Sequence, residues 1–493
     1  MHTLGEMYAM HDEALRVDNL SFSYPAIDED RPTQPVLDRV LFSVETGAFC
    51  VLQGSTGSGK TTLLRLIKPE LKPKGIQQGT ITLFGQEQST ITERESVQLV
   101  GYVFQNPENQ IVCDTVWHEL AFGLENLGLE QTQMHQRIAE ACYFFGIEPW
   151  FHKKTSELSG GQKQILTLAA LMVMHPKLLL LDEATSALDP LARQTFISLL
   201  YRMNQELGIT VVVATHDPEP FVPYADTFFM LEQNDRRVAG VRELSKAEEQ
   251  TYLSQLPQPQ PYKPAPVSDE PVVTVKDLSF RYSRTAPWVI RDASLEVSKQ
   301  EIRALVGGNG SGKSTLLKLI AGMEKGQRGK ISNACSGSQV LLPQNPQALF
   351  THESVEEELM EWAQTVGYEK DDAITMLKQL RLPSGPAFLA RHPFDLSGGQ
   401  QELLGLAKLL LTQPALVLLD EPTKGLDRQA RFAVMEALHH AQLGGATIVV
   451  ATHDVGLVAV LATSVSLVFD KGITVTQPTK EFLAHSWVWR QTS

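Results

Sequence analysis

The sequence predicts an α/β chain of two tandem domains, each a mostly parallel sheet flanked by helices. Three observations carry this expectation. "GSTGSGKT" from Gly54 and "GGNGSGKS" from Gly307 share the form G-x-x-x-x-G-K-[ST]. Each follows a short apolar run, "AFCVLQ" or "EIRALV", and precedes a helix-like "TTLLRLI" or "STLLKLI". Strand, glycine loop and helix is the order a phosphate cradle needs. Finally, "KLLLLDEATSALD" and "ALVLLDEPTKGLD" place an apolar run before Asp182 and Glu183, and before Asp420 and Glu421. Such a run marks a parallel strand buried on both faces. Two chance matches to the loop pattern have a probability of roughly one in ten thousand.

The repeat spans most of the 493 residues. Lys60 corresponds to Lys313, Ser159 to Ser397, Asp182 to Asp420 and His216 to His453, with offsets between 313 − 60 = 253 and 453 − 216 = 237. The one large length change lies early: Gly54 to Gln105 is 105 − 54 = 51 residues, while Gly307 to Gln344 is 344 − 307 = 37. The domains are therefore expected at 1–255 and 272–493. Between them "LPQPQPYKPAPVSDEP", residues 256–271, carries six prolines and reads as a semi-rigid linker. At about 3.1 Å per residue it would span roughly 50 Å.

The net charge of −14 argues against a broad nucleic-acid footprint, so no nucleic-acid partner is expected. Four cysteines, Cys50, Cys113, Cys142 and Cys335, show no metal-ligand spacing and fit a reducing compartment. The opening "MHTLGEMYAMHDEALRV" has neither a basic start nor an apolar core, so no secretory signal is expected. The longest apolar stretch, Val455 to Phe469, falls short of the ~20 residues that cross a bilayer. A chain soluble by itself is expected.

In each loop the glycines let successive backbone N–H groups point inward at phosphate oxygens, and the following helix adds its positive end. The first loop is Gly54, Ser55, Thr56, Gly57, Ser58, Gly59, Lys60, Thr61 and Thr62; the second is Gly307, Gly308, Asn309, Gly310, Ser311, Gly312, Lys313, Ser314 and Thr315. Lys60 and Lys313 are expected to reach the β/γ-phosphates, and the Thr61 and Ser314 hydroxyls to ligate Mg²⁺. Ligands of open α/β sheets sit at the carboxyl ends of strands, which brings the paired acids beside the nucleotide. Asp182 and Asp420 suit holding Mg²⁺ through water. Glu183 and Glu421 suit orienting the attacking water, a role worth about 10²–10⁴-fold. A single D-E pair at a strand end is common; two in register with two phosphate loops are not. About thirty residues on, each half repeats "ATHD", making His216 and His453 candidate γ-phosphate sensors.

Between loop and acids each half also carries "LSGGQ", at Leu158 to Gln162 and Leu396 to Gln400. With these motifs the chain resembles the ATP-binding cassette (ABC) family over both halves. The resemblance implies two P-loop NTPase domains, each with a RecA-like α/β core, an antiparallel β subdomain and a helical subdomain. It also implies head-to-tail pairing, in which Ser159, Gly160, Gly161 and Gln162 close over ATP held by the second half. Ser397, Gly398, Gly399 and Gln400 would do the same for the first. By the same resemblance Tyr24 and Tyr282 stack on adenine, a contact worth about 1–3 kcal/mol, although a strand-core tyrosine is the plainer alternative. Gln105 and Gln344 match the glutamine that contacts Mg²⁺ and links the site to the helical subdomain. Asp189 and Asp427 match the D-loop. An arginine common just after the signature is replaced by Ile165 and Leu403.

"VFQNPENQIV" with "TVWHELAFGLEN", and "LPQNPQALF" with "DEPTKGLD", resemble the two ATPases of energy-coupling factor (ECF) transporters, here fused. That resemblance implies ATP hydrolysis driving import of a vitamin, a vitamin precursor or a transition-metal ion. It implies an integral-membrane scaffold (T-type) subunit, a substrate-binding (S-type) membrane subunit and a peripheral place on the cytoplasmic face of the cell membrane. Fused ATPases of monosaccharide importers are one alternative, but there one site is commonly degenerate. Twin-cassette translation and repair ATPases are another, yet they carry a charged helical linker or long coiled-coil insertions. The segments after each Q-loop, 106–126 and 345–360, are the expected docking surface, through Ile111, Val116, Trp117, Phe122, Leu349, Phe350 and Val355.

Overall fold

The computed structural model describes residues 13–25, 35–55, 57–186, 188–234, 237–256, 261–264 and 266–486. The chain divides into two compact units, Met1–Leu256 and Pro257–Ser493.

In the first unit the strands are β1 (Glu13–Ser23), β2 (Leu37–Glu45), β3 (Phe49–Gln53), β4 (Ile76–Leu83), β5 (Gln86–Glu87), β6 (Val100–Val103), β7 (Leu178–Asp182), β8 (Thr210–Thr215), β9 (Thr227–Asn234) and β10 (Arg237–Ser245). They form one sheet in the order β5-β4-β1-β2-β10-β9-β3-β8-β7-β6. The run β9-β3-β8-β7-β6 is parallel. The other end, β2-β1-β4-β5, is antiparallel. The leucine run of β7 is explained by cover on both sides. Leu179 and Leu181 face one apolar cluster, with Phe196 and Leu166, while Leu178 and Leu180 face the other, with Leu63 and Ile67. No position on such a strand meets water, so the polar–apolar alternation of a half-exposed strand is absent.

The second unit has β11 (Pro271–Phe280), β12 (Ile290–Ser298), β13 (Ile302–Val306), β14 (Arg328–Asn333), β15 (Gln339–Leu342), β16 (Leu416–Asp420), β17 (Thr447–Ala451), β18 (Ser464–Phe469) and β19 (Gly472–Pro478). Here the antiparallel sheet, β12-β11-β14, is separate from the core sheet, β15-β16-β17-β13-β18-β19. All core neighbours are parallel except β18 and β19. The shorter spacing has a local cause: the first unit places β5 and helix Glu93–Leu99 before β6, whereas the second turns from β14 directly to β15.

Each unit also has a helical subdomain between its Q-loop and its signature. It comprises Val116–Asn126 and Gln131–Phe145 in the first unit. In the second it comprises Val355–Met360, Ala363–Val366, Lys370–Gln379 and Pro386–Leu389. Val116, Phe350 and Val355, read as docking residues, belong to the core, whereas Trp117 and Phe122 remain 44% and 43% exposed. Val116 and Trp117 are consecutive on one helix and so lie on different faces of it.

Part of the Pro-rich segment is bound to the second unit. The Tyr262 N–H donates to the Val460 carbonyl (3.0 Å) and its ring stacks on His439 at 4.7 Å; the Ser268 N–H donates to the Lys299 carbonyl (3.2 Å). Among the described residues no helix is long and apolar enough to cross a membrane. The apolar stretch from Val455 divides into helix Val455–Leu461 and strand β18.

Candidate functional site

Both glycine loops leave a buried core strand and enter an eight-residue helix, Lys60–Ile67 or Lys313–Ile320, with no acid in its first turn. The positive helix ends are thus uncompensated and favour an anion. Gly59 and Gly312 cap these helices at φ +84° and +103°, a left-handed conformation that glycine adopts without strain. Thr56 lies outside the described residues; its counterpart Asn309 is exposed at the loop tip.

The loops require glycine and hold spare polar capacity. A Cβ at Gly54 would lie 2.5 Å from Ser58 Oγ, and one at Gly307 would lie 2.3 Å from the Val468 carbonyl. Buried hydroxyls normally find a partner, yet Ser58 Oγ and Ser311 Oγ are buried without one. Lys60 Nζ donates to the carbonyls of Gly54 (2.8 Å) and Ser55 (3.1 Å), and Lys313 Nζ repeats this with Gly307 (2.8 Å) and Gly308 (3.1 Å). Each buried ammonium therefore lies folded over its own loop. The donor set fits a nucleotide triphosphate.

The acids emerge from the ends of β7 and β16 beside these loops. Thr61 Oγ1 donates to Asp182 Oδ1 (2.9 Å), and the Tyr102 hydroxyl donates to Asp182 Oδ2 (3.0 Å). Burial raises the Asp182 carboxyl above its ordinary value, and these two bonds only partly offset that. Asp420 is likewise raised by burial, against a hydrogen bond from Ser314 and the charges of Lys313 and Lys318. Hydroxyl and carboxylate at this spacing suit a hydrated divalent cation.

Glu183 and Glu421 sit at φ +50° and +57°, left-handed values that cost a non-glycine residue energy and cluster at functional sites. Their backbone N–H groups are held by the carbonyls of Ala214 (2.9 Å) and Ala451 (2.8 Å) on the neighbouring strand. Glu183 Oε2 meets His216 Nδ1 at 2.8 Å and Oε1 lies 3.5 Å from Lys60 Nζ. Burial alone would raise the Glu183 carboxyl, but His216 and Lys60 outweigh it and hold it below its ordinary value. It is poised as an anion. In the second unit the His453 N–H donates to Glu421 Oε2 (3.3 Å), and His453 Nδ1 lies 3.0 Å from that oxygen without hydrogen-bond alignment.

The remaining expected residues surround this centre. Tyr24 and Tyr282 are 41% and 58% exposed, so neither is a strand-core residue. Each packs edge-on against the preceding aromatic residue, Phe22 at 5.1 Å or Phe280 at 5.0 Å. Each hydroxyl bonds a threonine of the phosphate-loop helix, Thr62 or Thr315, both at 3.1 Å. Gln105 and Gln344 are exposed, and Gln105 Nε2 reaches Ser186 Oγ at 3.5 Å. Ser159 and Ser397 cap helices Gly160–Met172 and Gly398–Leu410 in reciprocal capping boxes with Gln162 and Gln400. The signature thus presents helix N-termini. Asp189 and Asp427 cap helices Pro190–Leu207 and Arg428–Leu443.

Sequence reasoning missed the groups that make the two centres unlike. Tyr102 and Arg65 act on Asp182, but Leu341 occupies the strand position equivalent to Tyr102. Glu402 stands where the first unit has Gln164. Burial pushes its carboxyl up to about 8, with Lys424 opposing and Asp420 adding to the shift. A comparison of the two halves position by position is the signal that would have found them.

The model of the ABC transporter family matches residues 37–186 and 290–424. The chain belongs to the ABC transporter family. It is an ABC ATPase with two ATP-binding cassettes in one polypeptide. An AAA-domain model also matches residues 154–219 and 390–459, the signature-to-histidine part of each cassette. An ABC transporter ATP-binding protein of Bacillus thuringiensis subsp. konkukian (strain 97-27), so named provisionally, is 38% identical over 524 residues, covering 96% of this chain and 93% of that protein. YkoD of Bacillus subtilis (strain 168), provisionally named an HMP/thiamine import ATP-binding protein, is 31% identical, with 94% and 91% covered. Among solved structures, the archaeal ribosome recycling factor aABCE1 in complex with stalk protein aP1 aligns with a TM-score of 0.65 at 19% identity, over 94% of this chain and 90% of that one. That likeness concerns the fold alone.

Proposed function

We propose that this ABC ATPase is the energy-coupling subunit of an ECF-type importer, acting on a vitamin, a vitamin precursor or a transition-metal ion. The observation that carries the proposal is the intact glutamate–histidine centre in both cassettes, Glu183 with His216 and Glu421 with His453. A fused pair with one degenerate site, the pattern of monosaccharide importers, would lack one of them. The provisional name of YkoD, which assigns that relative to HMP/thiamine import, points to the same class of cargo.

In this reading Glu183 or Glu421 accepts a proton from the water that attacks the γ-phosphate, and His216 or His453 holds the carboxylate toward it. Lys60 and Lys313 turn from their loop carbonyls to the phosphate oxygens. Thr61, Gln105 and Asp182, or Ser314, Gln344 and Asp420, would hold Mg²⁺, which neutralises charge on the β- and γ-phosphates. Tyr24 and Tyr282 offer open ring faces to adenine. Each centre is proposed to be completed by the signature of the other cassette, whose serine, glycine N–H groups and helix N-terminus offer a second anion site.

Because no described helix can cross a membrane, the cassettes are proposed to act peripherally, on the cytoplasmic face, through an integral-membrane scaffold (T-type) subunit joined to a substrate-binding (S-type) subunit. The first-unit groove of about 820 Å³, lined by Trp117, Ala121, Met134, Ile138, Cys142 and Phe151, supplies an apolar seat for the scaffold. The hydrolytic reading is tested with Glu183→Gln and Glu421→Gln together. ATPase turnover is expected to fall about 10²-fold or more while ATP remains bound. Turnover at the parent rate would remove both glutamates from the role assigned here.

A further inference from the structure

We propose that Tyr102 is a positioning residue for metal capture in the first cassette, one the second cassette does without. The inference rests on the reading of Asp182 as the group that holds Mg²⁺ through water. Tyr102 is 4% exposed on β6, and its hydroxyl donates to Asp182 Oδ2 at 3.0 Å, while Thr61 occupies Oδ1 at 2.9 Å. Both carboxylate oxygens are therefore anchored, one by each flanking element. The phenol is itself held in place: its ring packs on Phe104 at 5.0 Å, and the charge of Arg65, from the phosphate-loop helix, acts on it.

A carboxylate anchored at both oxygens cannot rotate away from the orientation its ligand requires. The freedom that metal binding would otherwise remove is already lost, and outer-sphere partners of this kind commonly change metal affinity about 10- to 100-fold. In the second cassette the strand position of Tyr102 is Leu341, which donates no hydrogen bond, and the helix position of Arg65 is Lys318. Asp420 has its Ser314 contact but no phenol. The first cassette should consequently saturate at lower metal concentration than the second.

The test uses the full chain with one cassette silenced, Lys313→Ala leaving the first and Lys60→Ala the second. Mn²⁺ replaces Mg²⁺ so that free metal can be followed by electron paramagnetic resonance, with a non-hydrolysable ATP analogue bound. Tyr102→Phe keeps the ring and removes only the hydroxyl. In the Lys313→Ala chain it should raise half-saturating Mn²⁺ about tenfold, leave metal-free analogue affinity unchanged, and have no effect in the Lys60→Ala chain. Asp182→Asn separates the two levels of the argument. If Asp182→Asn weakens Mn²⁺ binding and Tyr102→Phe does not, the positioning role alone is overturned. If Asp182→Asn has no effect either, the metal-holding reading falls with it. Equal weakening by Tyr102→Phe in both silenced chains, or loss of metal-free analogue binding, would indicate general packing and also overturn the proposal.

Discussion

Glu249 is a single acid buried beneath the first cassette's phosphate loop. It lies on helix Lys246–Gln255 with no exposed surface. One oxygen accepts from Gln53 Nε2 at 2.5 Å and the other has no partner. Gln53 is the residue just before the first phosphate loop, so this acid is packed against the base of the site. Burial raises its carboxyl, and the bond from Gln53 only partly offsets that. Above the ordinary carboxyl value the unfolded chain releases a proton that the folded chain retains. This contribution to stability is therefore full at low pH and is lost as pH rises through the elevated folded value. Glu249→Gln, which stays neutral and preserves the shape, should flatten the decline of the first unit's urea midpoint as pH rises above the ordinary carboxyl range. An equal decline in parent and variant would show that Glu249 does not carry that dependence.

At the scale of elements, the phosphate loops, acid-bearing strands and signature helices were all legible because each has a local cause. Glycines mark the loop, an unbroken apolar run marks a strand covered on both faces, and Ser159 with Gln162 spells a capping box. Tyr102 was not legible, since a tyrosine in "VGYVF" reads as ordinary strand and meets Asp182 only when β6 pairs with β7. Nor could periodicity in the short Q-loop segments separate core from surface residues. Val116 is buried, while Trp117 borders the groove and, like Phe122, stays open. A docking prediction therefore belongs to this helix, Val116–Asn126, and to those two side chains. Trp117→Glu and Phe122→Glu together should lower co-sedimentation with membranes carrying the scaffold subunit about tenfold and leave ATP binding intact. Unchanged co-sedimentation would exclude this face as the seat of the scaffold.

At the scale of the whole molecule, the dominant feature is the duplication of the cassette. Each unit folds around its own core and carries its own loop, acids and histidine. Fusion fixes the partner and its local concentration, so the two cassettes need not find each other by diffusion. The fusion also lets the two centres diverge, as Tyr102 against Leu341 and Gln164 against Glu402 show. We propose above that each cassette's signature completes the other's site. It is tested most directly by Ser55→Cys with Ser397→Cys in the full chain, its four native cysteines first replaced. An intramolecular disulfide is expected to form with ATP and not without it, while Ser55→Cys with Ser159→Cys forms none. A Ser55 to Ser159 bond in place of the first would contradict it.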